Sequence, residues 1–196
     1  MILKKGAQIE FETVYQDMLT QFPSEELKGK ERLSALIKEE KYDLWLAEED
    51  GRQVAYILTC PYQDYIWLDY IAVFREYHSK GYGSKILPQL SDVYPGSKGL
   101  FLEVEHENET DVNTIRRIRF YRRLGAEMIL KSYRLPTAAG GFPMGLYFLP
   151  YQEGNPSKKE ILDTIRYVFD TVHADIPARD LLLRQMEKDM AENHDC

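Results

Sequence analysis

The chain has 196 residues, 44% hydrophobic and 12% aromatic, with Lys+Arg 25 against Asp+Glu 32 and a formal net charge of -7. That length and composition fit one folded domain and exclude a disordered tail. The negative charge argues against a general binder of nucleic acid or anionic membrane, which would need a positive field, and mildly favours a cationic substrate. The N-terminus MILKKGAQIE has no apolar core of signal-peptide length, and no later apolar run is long enough to span a bilayer, so a cytoplasmic protein is expected. Cys60 and Cys196 offer neither a disulfide framework nor CxxC spacing, and His78, His106, His173 and His194 form no HxH or HxxxH pair; no metal site is expected.

Ile2 to Lys4 reads as a strand. Ile9 to Phe22 follows with apolar residues at 9, 11, 14, 15, 18, 19 and 22, the spacing of an amphipathic helix stopped by Pro23. Ser24, Glu25 and Glu26 read as the capped start of a second helix reaching Lys38, with Leu27, Leu33, Leu36 and Ile37 inward. YDLWLAEE and RQVAYILTC around Asp50-Gly51 read as a hairpin, and Asp64 to Val73 as a central strand. Ser84 to Val93 is helical in pattern, with Pro88 expected to kink or shorten it. GLFLEVE, from Gly99 to Glu105, is a strand; Asn113 to Leu124 is a helix ended by Gly125; MILKSYRLP and GLYFLPY are two more strands, with AAGGFP (138–143) a loop between them. Beyond Ser157 the pattern is helical. Ser157 with Glu160 forms a capping box before Ile161, Leu162, Ile165, Val168, Phe169 and Val172, and Asp175 caps a last helix to about Asn193.

The stretch EYHSKGYGSKIL carries Gly81 and Gly83 just before an apolar segment. A Walker loop needs Gly-Lys-Ser/Thr, but the order here is Gly83-Ser84-Lys85, and a dinucleotide fingerprint lacks its third glycine. Ile71-Ala72-Val73, a short link, then His78-Ser79-Lys80-Gly81-Tyr82-Gly83-Ser84 resembles the pyrophosphate loop of the GNAT acetyltransferase superfamily, with His78 where the family usually has Gln or Arg. Phe120-Tyr121-Arg122-Arg123-Leu124-Gly125-Ala126 resembles a second motif of that family, and the resemblance spans about Ile9 to Leu149. It implies an α/β fold with a mixed, mostly antiparallel central sheet flanked by helices. The transferase domain would occupy 1–151, and 157–196 would be an added C-terminal helical segment on the same domain.

The resemblance further implies acetyl-CoA as cosubstrate. Its pyrophosphate would rest on backbone N–H groups of His78 to Ser84, and its pantetheine would pair with the backbone of Ile71, Ala72 and Val73. Tyr121 would be the acid that protonates the departing thiolate. For the base, Glu103 and Glu105 share one face of a strand, where a carboxylate pair is costly unless that face is wet. The Leu-Glu-Val triplet resembles the strand that supplies a glutamate in ribosomal-protein acetyltransferases, so Glu103 is favoured, with Glu105 and Asp69 as alternatives. Arg117 lies one helical turn before Tyr121, where a cofactor phosphate or an acceptor carboxylate would be within reach, and Thr114 stands where related sequences carry asparagine. His78, His106 and His173 read as surface residues.

The expected activity is transfer of an acetyl group to a primary amine of a small molecule or peptide; the alternative is a non-catalytic acyl-CoA-binding or regulatory module on the same fold. The C-terminal helices could cover the sheet, close the acceptor pocket or make a homodimer.

Overall fold

The computed structural model describes residues 1–192; His194, Cys196 and the expected helix end at Asn193 lie outside the described residues. The chain forms two compact units, Met1–Ser97 and the residues from Lys98 on. In the first, β1 (Ile2–Lys5), β2 (Asp43–Glu49), β3 (Arg52–Tyr62) and β4 (Tyr65–Val73) pair in that order, each antiparallel to the next. Helices α1 (Gln8–Gln21) and α2 (Lys30–Lys38) pack on each other, and α3 (Tyr82–Val93) packs on β1 and β4. In the second unit β8 (Gly140–Pro150) lies between β5 (Gly99–Glu105) and β6 (Glu127–Leu130), antiparallel to both, and its first residues pair with β7 (Arg134–Thr137). Helix α4 (Val112–Arg123) packs on β5, and α5 (Lys158–Thr171) on α6 (Arg179–Glu192), which also touches β7 and β8. The α/β class, the antiparallel strands and the helical C-terminal segment are as expected. Among the described residues no helix is long and apolar enough to cross a membrane.

Local chemistry explains most boundaries. Asp50 and Gly51 both take positive φ, 50° and 72°, the backbone a two-residue turn needs to match strand twist. Ser157 accepts the Glu160 N–H while the Glu160 carboxylate takes the Ser157 N–H, the reciprocal box foreseen at the start of α5.

Several expectations are corrected. The second helix begins at Lys30, not Ser24. Residues 23–28 make a single turn, and their peptide groups go to tyrosines: Tyr70 accepts from the Lys28 N–H at 3.0 Å and donates to the Glu26 carbonyl at 2.7 Å, while Tyr15 donates to the Lys28 carbonyl at 3.1 Å. In α1, Phe11, Val14, Tyr15 and Met18 are buried, but Ile9 and Leu19 are exposed, falling outside that narrow stripe. Helix α3 starts at Tyr82 and runs on through Pro88, whose ring lies on the exposed face of the helix. MILKSYRLP splits into β6 and β7, and most of AAGGFP is not loop, because Gly140 to Pro143 pair with β7. Helix α6 begins at Arg179, several residues beyond Asp175.

One buried hydroxyl ties the first unit together. Tyr94 accepts from the Trp45 indole N–H at 2.8 Å, donates to Asp43 Oδ2 at 2.6 Å and shares a 2.7 Å hydrogen bond with Thr59. Its hydrogen-bonding capacity, one donor and two acceptors, is used in full.

Candidate active site

In the first unit the glycine stretch is a shaped turn. After β4 a short 3-10 turn (Arg75–Tyr77) leads to Ser79, at φ 62°, and Gly81, at φ 76°, which caps α3 without any side-chain hydrogen bond. The first N–H groups of a helix have no partner within it, and those of Tyr82, Gly83 and Ser84 head this one. A Cβ placed on Gly81 would meet nothing within 4 Å, so the space beside the turn is open. Residues 78–81 are exposed. Alternating right- and left-handed backbone ahead of a helix gathers N–H groups into an anion-binding concavity, and the helix dipole adds to it.

The side chains of this turn mostly hold its shape. His78 Nε2 donates to the Val73 carbonyl at 2.7 Å, closing the loop on the end of β4, and Gln21 Nε2 reaches the same oxygen at 3.1 Å. The Lys80 ammonium donates to the Glu76 carbonyl at 3.1 Å and sits 5.0 Å from the centre of the Tyr77 ring.

Asp69 is fully engaged elsewhere. The β3–β4 register skips it, Leu58 facing Tyr70 and Thr59 facing Leu68, so Asp69 occupies a bulge. Bulges re-aim side chains. Its carboxylate, 2% exposed, has both oxygens 2.9 Å from Lys28 Nζ and accepts the Tyr42 hydroxyl.

In the second unit β5 presents Glu103 and Glu105, both half-buried, on one face with the buried Phe101. Glu105 is paired with Arg117 of α4, and Glu103 accepts the hydroxyl of Tyr133. Tyr121 is 7% exposed. Burial raises its phenol pKa above the ordinary value, the Arg117 charge opposes that and the Glu105 charge adds to it, so the hydroxyl keeps its proton well past neutral pH. The structure thus groups Tyr121, Arg117 and Glu105 electrostatically. Thr114 is spent on the loop ahead of α4, its hydroxyl donating to the Asp111 carbonyl at 2.8 Å and accepting the Asn108 N–H at 3.0 Å. His173, read from sequence as a surface residue, is 2% exposed and meets Phe169 edge-on. Tyr133 gave no sequence signal: a lone tyrosine between two apolar runs does not reveal that its hydroxyl will meet a carboxylate.

The Acetyltransferase (GNAT) family model matches residues 11–126, and the chain belongs to this family. It is 28% identical over 162 residues to a provisionally assigned acetyltransferase, YjbC, of Bacillus subtilis strain 168, covering 81% of this chain and 80% of that protein. A provisionally assigned GNAT-family acetyltransferase of Bacteroides thetaiotaomicron has a solved structure similar over 88% of this chain and 97% of its own, at 20% identity and TM-score 0.73. The Arabidopsis thaliana NAA60 structure, a complex with acetyl-CoA, is similar over 76% of this chain and 98% of its own, at 14% identity and TM-score 0.56. The protein is therefore an acyltransferase of the GNAT type.

Proposed function

We propose that the protein transfers the acetyl group of acetyl-CoA to a primary amine of a small molecule or peptide by direct attack. The open, positive-φ turn from Ser79 to Gly81, feeding a helix start with no side-chain cap, is the observation that carries this reading. Backbone N–H groups of 79–84 hold the diphosphate, favoured by the helix dipole. The Val73 carbonyl already has two donors, His78 and Gln21, so the pantetheine arm would pair with other backbone groups of Ile71 to Val73.

Acetyl-CoA supplies an activated carbonyl and a thiolate leaving group. Glu103, through water, takes a proton from the amine as its nitrogen bonds to the carbonyl carbon. Tyr121 gives its proton to the sulfur as the carbon–sulfur bond breaks. Its raised pKa suits an acid that must arrive protonated. Glu103 is preferred to Glu105, which Arg117 engages, and to Asp69, which Lys28 and Tyr42 enclose. Arg117 serves the site through its charge beside Tyr121.

Calorimetric titration with acetyl-CoA tests the reading, on the wild type and on Gly81→Trp, whose side chain would fill the cradle. Thiol release from acetyl-CoA is then followed with spermidine, lysine and a tripeptide beginning with alanine. Binding abolished by the substitution, with turnover of one of these amines, is expected; a wild type that does not bind acetyl-CoA would end the proposal.

A further inference from the structure

Tyr133, which meets Glu103, and the rings packed behind it come from parts of the chain that the catalytic reading leaves without a task. Tyr133 stands in the bend between β6 and β7, is 0% exposed, and points its hydroxyl at Glu103 Oε1. Phe169 of α5 packs on the Tyr133 ring at 6.3 Å between centroids and 60° between planes. His173, just past α5, packs edge-on against Phe169 at 5.7 Å. A chain of aromatic contacts thus runs from α5 to the carboxylate of β5.

We infer that Tyr133, clamped by Phe169 of α5, is a positioning residue that orients Glu103 and holds it ionised for the transfer reaction; this rests on Glu103 being the base. A hydroxyl that donates to a carboxylate favours its charged form and fixes its rotamer. A buried ring held by a second buried ring cannot swing aside, so the hydroxyl stays aimed at one oxygen. Helix α5 thereby acquires a positioning role, with Phe169 backing the tyrosine that meets the base.

The groups around Glu103 define what else could move its titration. Glu105 lies two residues along the same strand face with Arg117 on it, and Tyr121 lies beyond Arg117. Leu146 of β8 stands opposite Glu103 in register. From α5 comes Phe169, packed on the Tyr133 ring, and past its end His173, packed on Phe169. Tyr133→Phe changes none of these and removes a single oxygen.

The test uses full-length protein carrying glutamate labelled with carbon-13 at the carboxyl, with the Glu103 resonance identified by its absence in Glu103→Gln. In Tyr133→Phe the Glu103 carboxyl is expected to titrate about one pH unit higher, the scale of a lost hydrogen bond to a charged group. The acid limb of kcat for the best amine of the panel above should rise by the same amount, with the acetyl-CoA dissociation constant unchanged. Phe169→Leu should move both in the same direction, and should add nothing in the Tyr133→Phe background, because the chain of contacts acts through one hydroxyl. A carboxyl titration that Tyr133→Phe leaves in place overturns the inference while the base assignment stands. A titration that moves while the acid limb does not, or a Glu103→Gln enzyme with full turnover, overturns the base assignment itself. Additive shifts from Phe169→Leu would remove α5 from the account.

Discussion

Arg117 of α4 and Glu105 of β5 form an ion pair beside the buried phenol of Tyr121, and their charges act on that phenol in opposite senses. Arg117→Ala should therefore raise the Tyr121 pKa further, and Glu105→Gln should lower it. Phenolate absorbance, taken as the difference from Tyr121→Phe, reads both. The alkaline limb of kcat follows, since the acid works only while protonated: later for Arg117→Ala, earlier for Glu105→Gln. At neutral pH either change costs less than about fivefold, because the pair is partly exposed, whereas Tyr121→Phe costs about a hundredfold or more. Equal shifts of the same sign in the two charge variants would show that the pair does not act on Tyr121 electrostatically.

Tyr94→Phe removes the hydroxyl shared by Trp45, Asp43 and Thr59 and leaves the buried Asp43 and Thr59 and the half-buried Trp45 indole each short of a partner. A loss of about 3 kcal/mol in urea unfolding is expected, more than for an ordinary hydrogen bond, because desolvation of the abandoned groups adds to it. Trp45→Phe removes only one spoke and should cost about 1 kcal/mol.

The parts of this molecule written in short-range chemistry were legible in the sequence. The Asp50-Gly51 turn, the Ser157 and Glu160 box and Gly81 at the head of α3 depend on a few adjacent residues and agree with the sequence reading, although α3 starts early enough to take in Gly83. What was illegible depends on partners distant in the chain. Nothing near Ser24 reveals that Tyr70 will capture the peptide groups of 26 and 28 and delay α2. Asp69 was an alternative base by the strand it lies on, and the bulge turns it towards Lys28 and Tyr42. The β5 carboxylates were found because two charges on one face of a strand are anomalous locally, but their partners Tyr133 and Arg117 come from other elements.

Cys60 is fully buried on β3. Burial first, then the charges of Asp69 and Asp43, push its thiol up to about 12, so almost no thiolate exists at neutral pH. In a Cys196→Ser background, a disulfide reagent should find no reactive thiol in the native protein and one after denaturation. Stoichiometric reaction at native rates typical of a free thiol would contradict this environment.

Asp69 separates stability from catalysis. Asp69→Ala removes the carboxylate paired with the mostly buried Lys28 ammonium and should cost about 3–5 kcal/mol in urea unfolding. Asp69→Asn keeps the shape and a hydrogen bond for Tyr42, so it should be milder, and the folded fraction should turn over amines at nearly the wild-type rate. A stable Asp69→Asn protein with turnover reduced a hundredfold would instead return the base to β4.

Gly81 faces two demands that substitutions can divide. Its φ of 76° disfavours any side chain with a Cβ, while the space beside it is open. Gly81→Ala should therefore lose about 1–2 kcal/mol of stability through backbone conformation alone. Gly81→Asn should lose less, because asparagine tolerates the left-handed region. If the turn cradles the diphosphate, acetyl-CoA affinity should follow side-chain size rather than stability, falling from Gly to Ala to Asn and vanishing at Trp. Unfolding curves and calorimetric titration on the same four proteins separate the two orders. An affinity series that instead tracks stability would mean that the glycine serves only the turn, and that the diphosphate is held elsewhere.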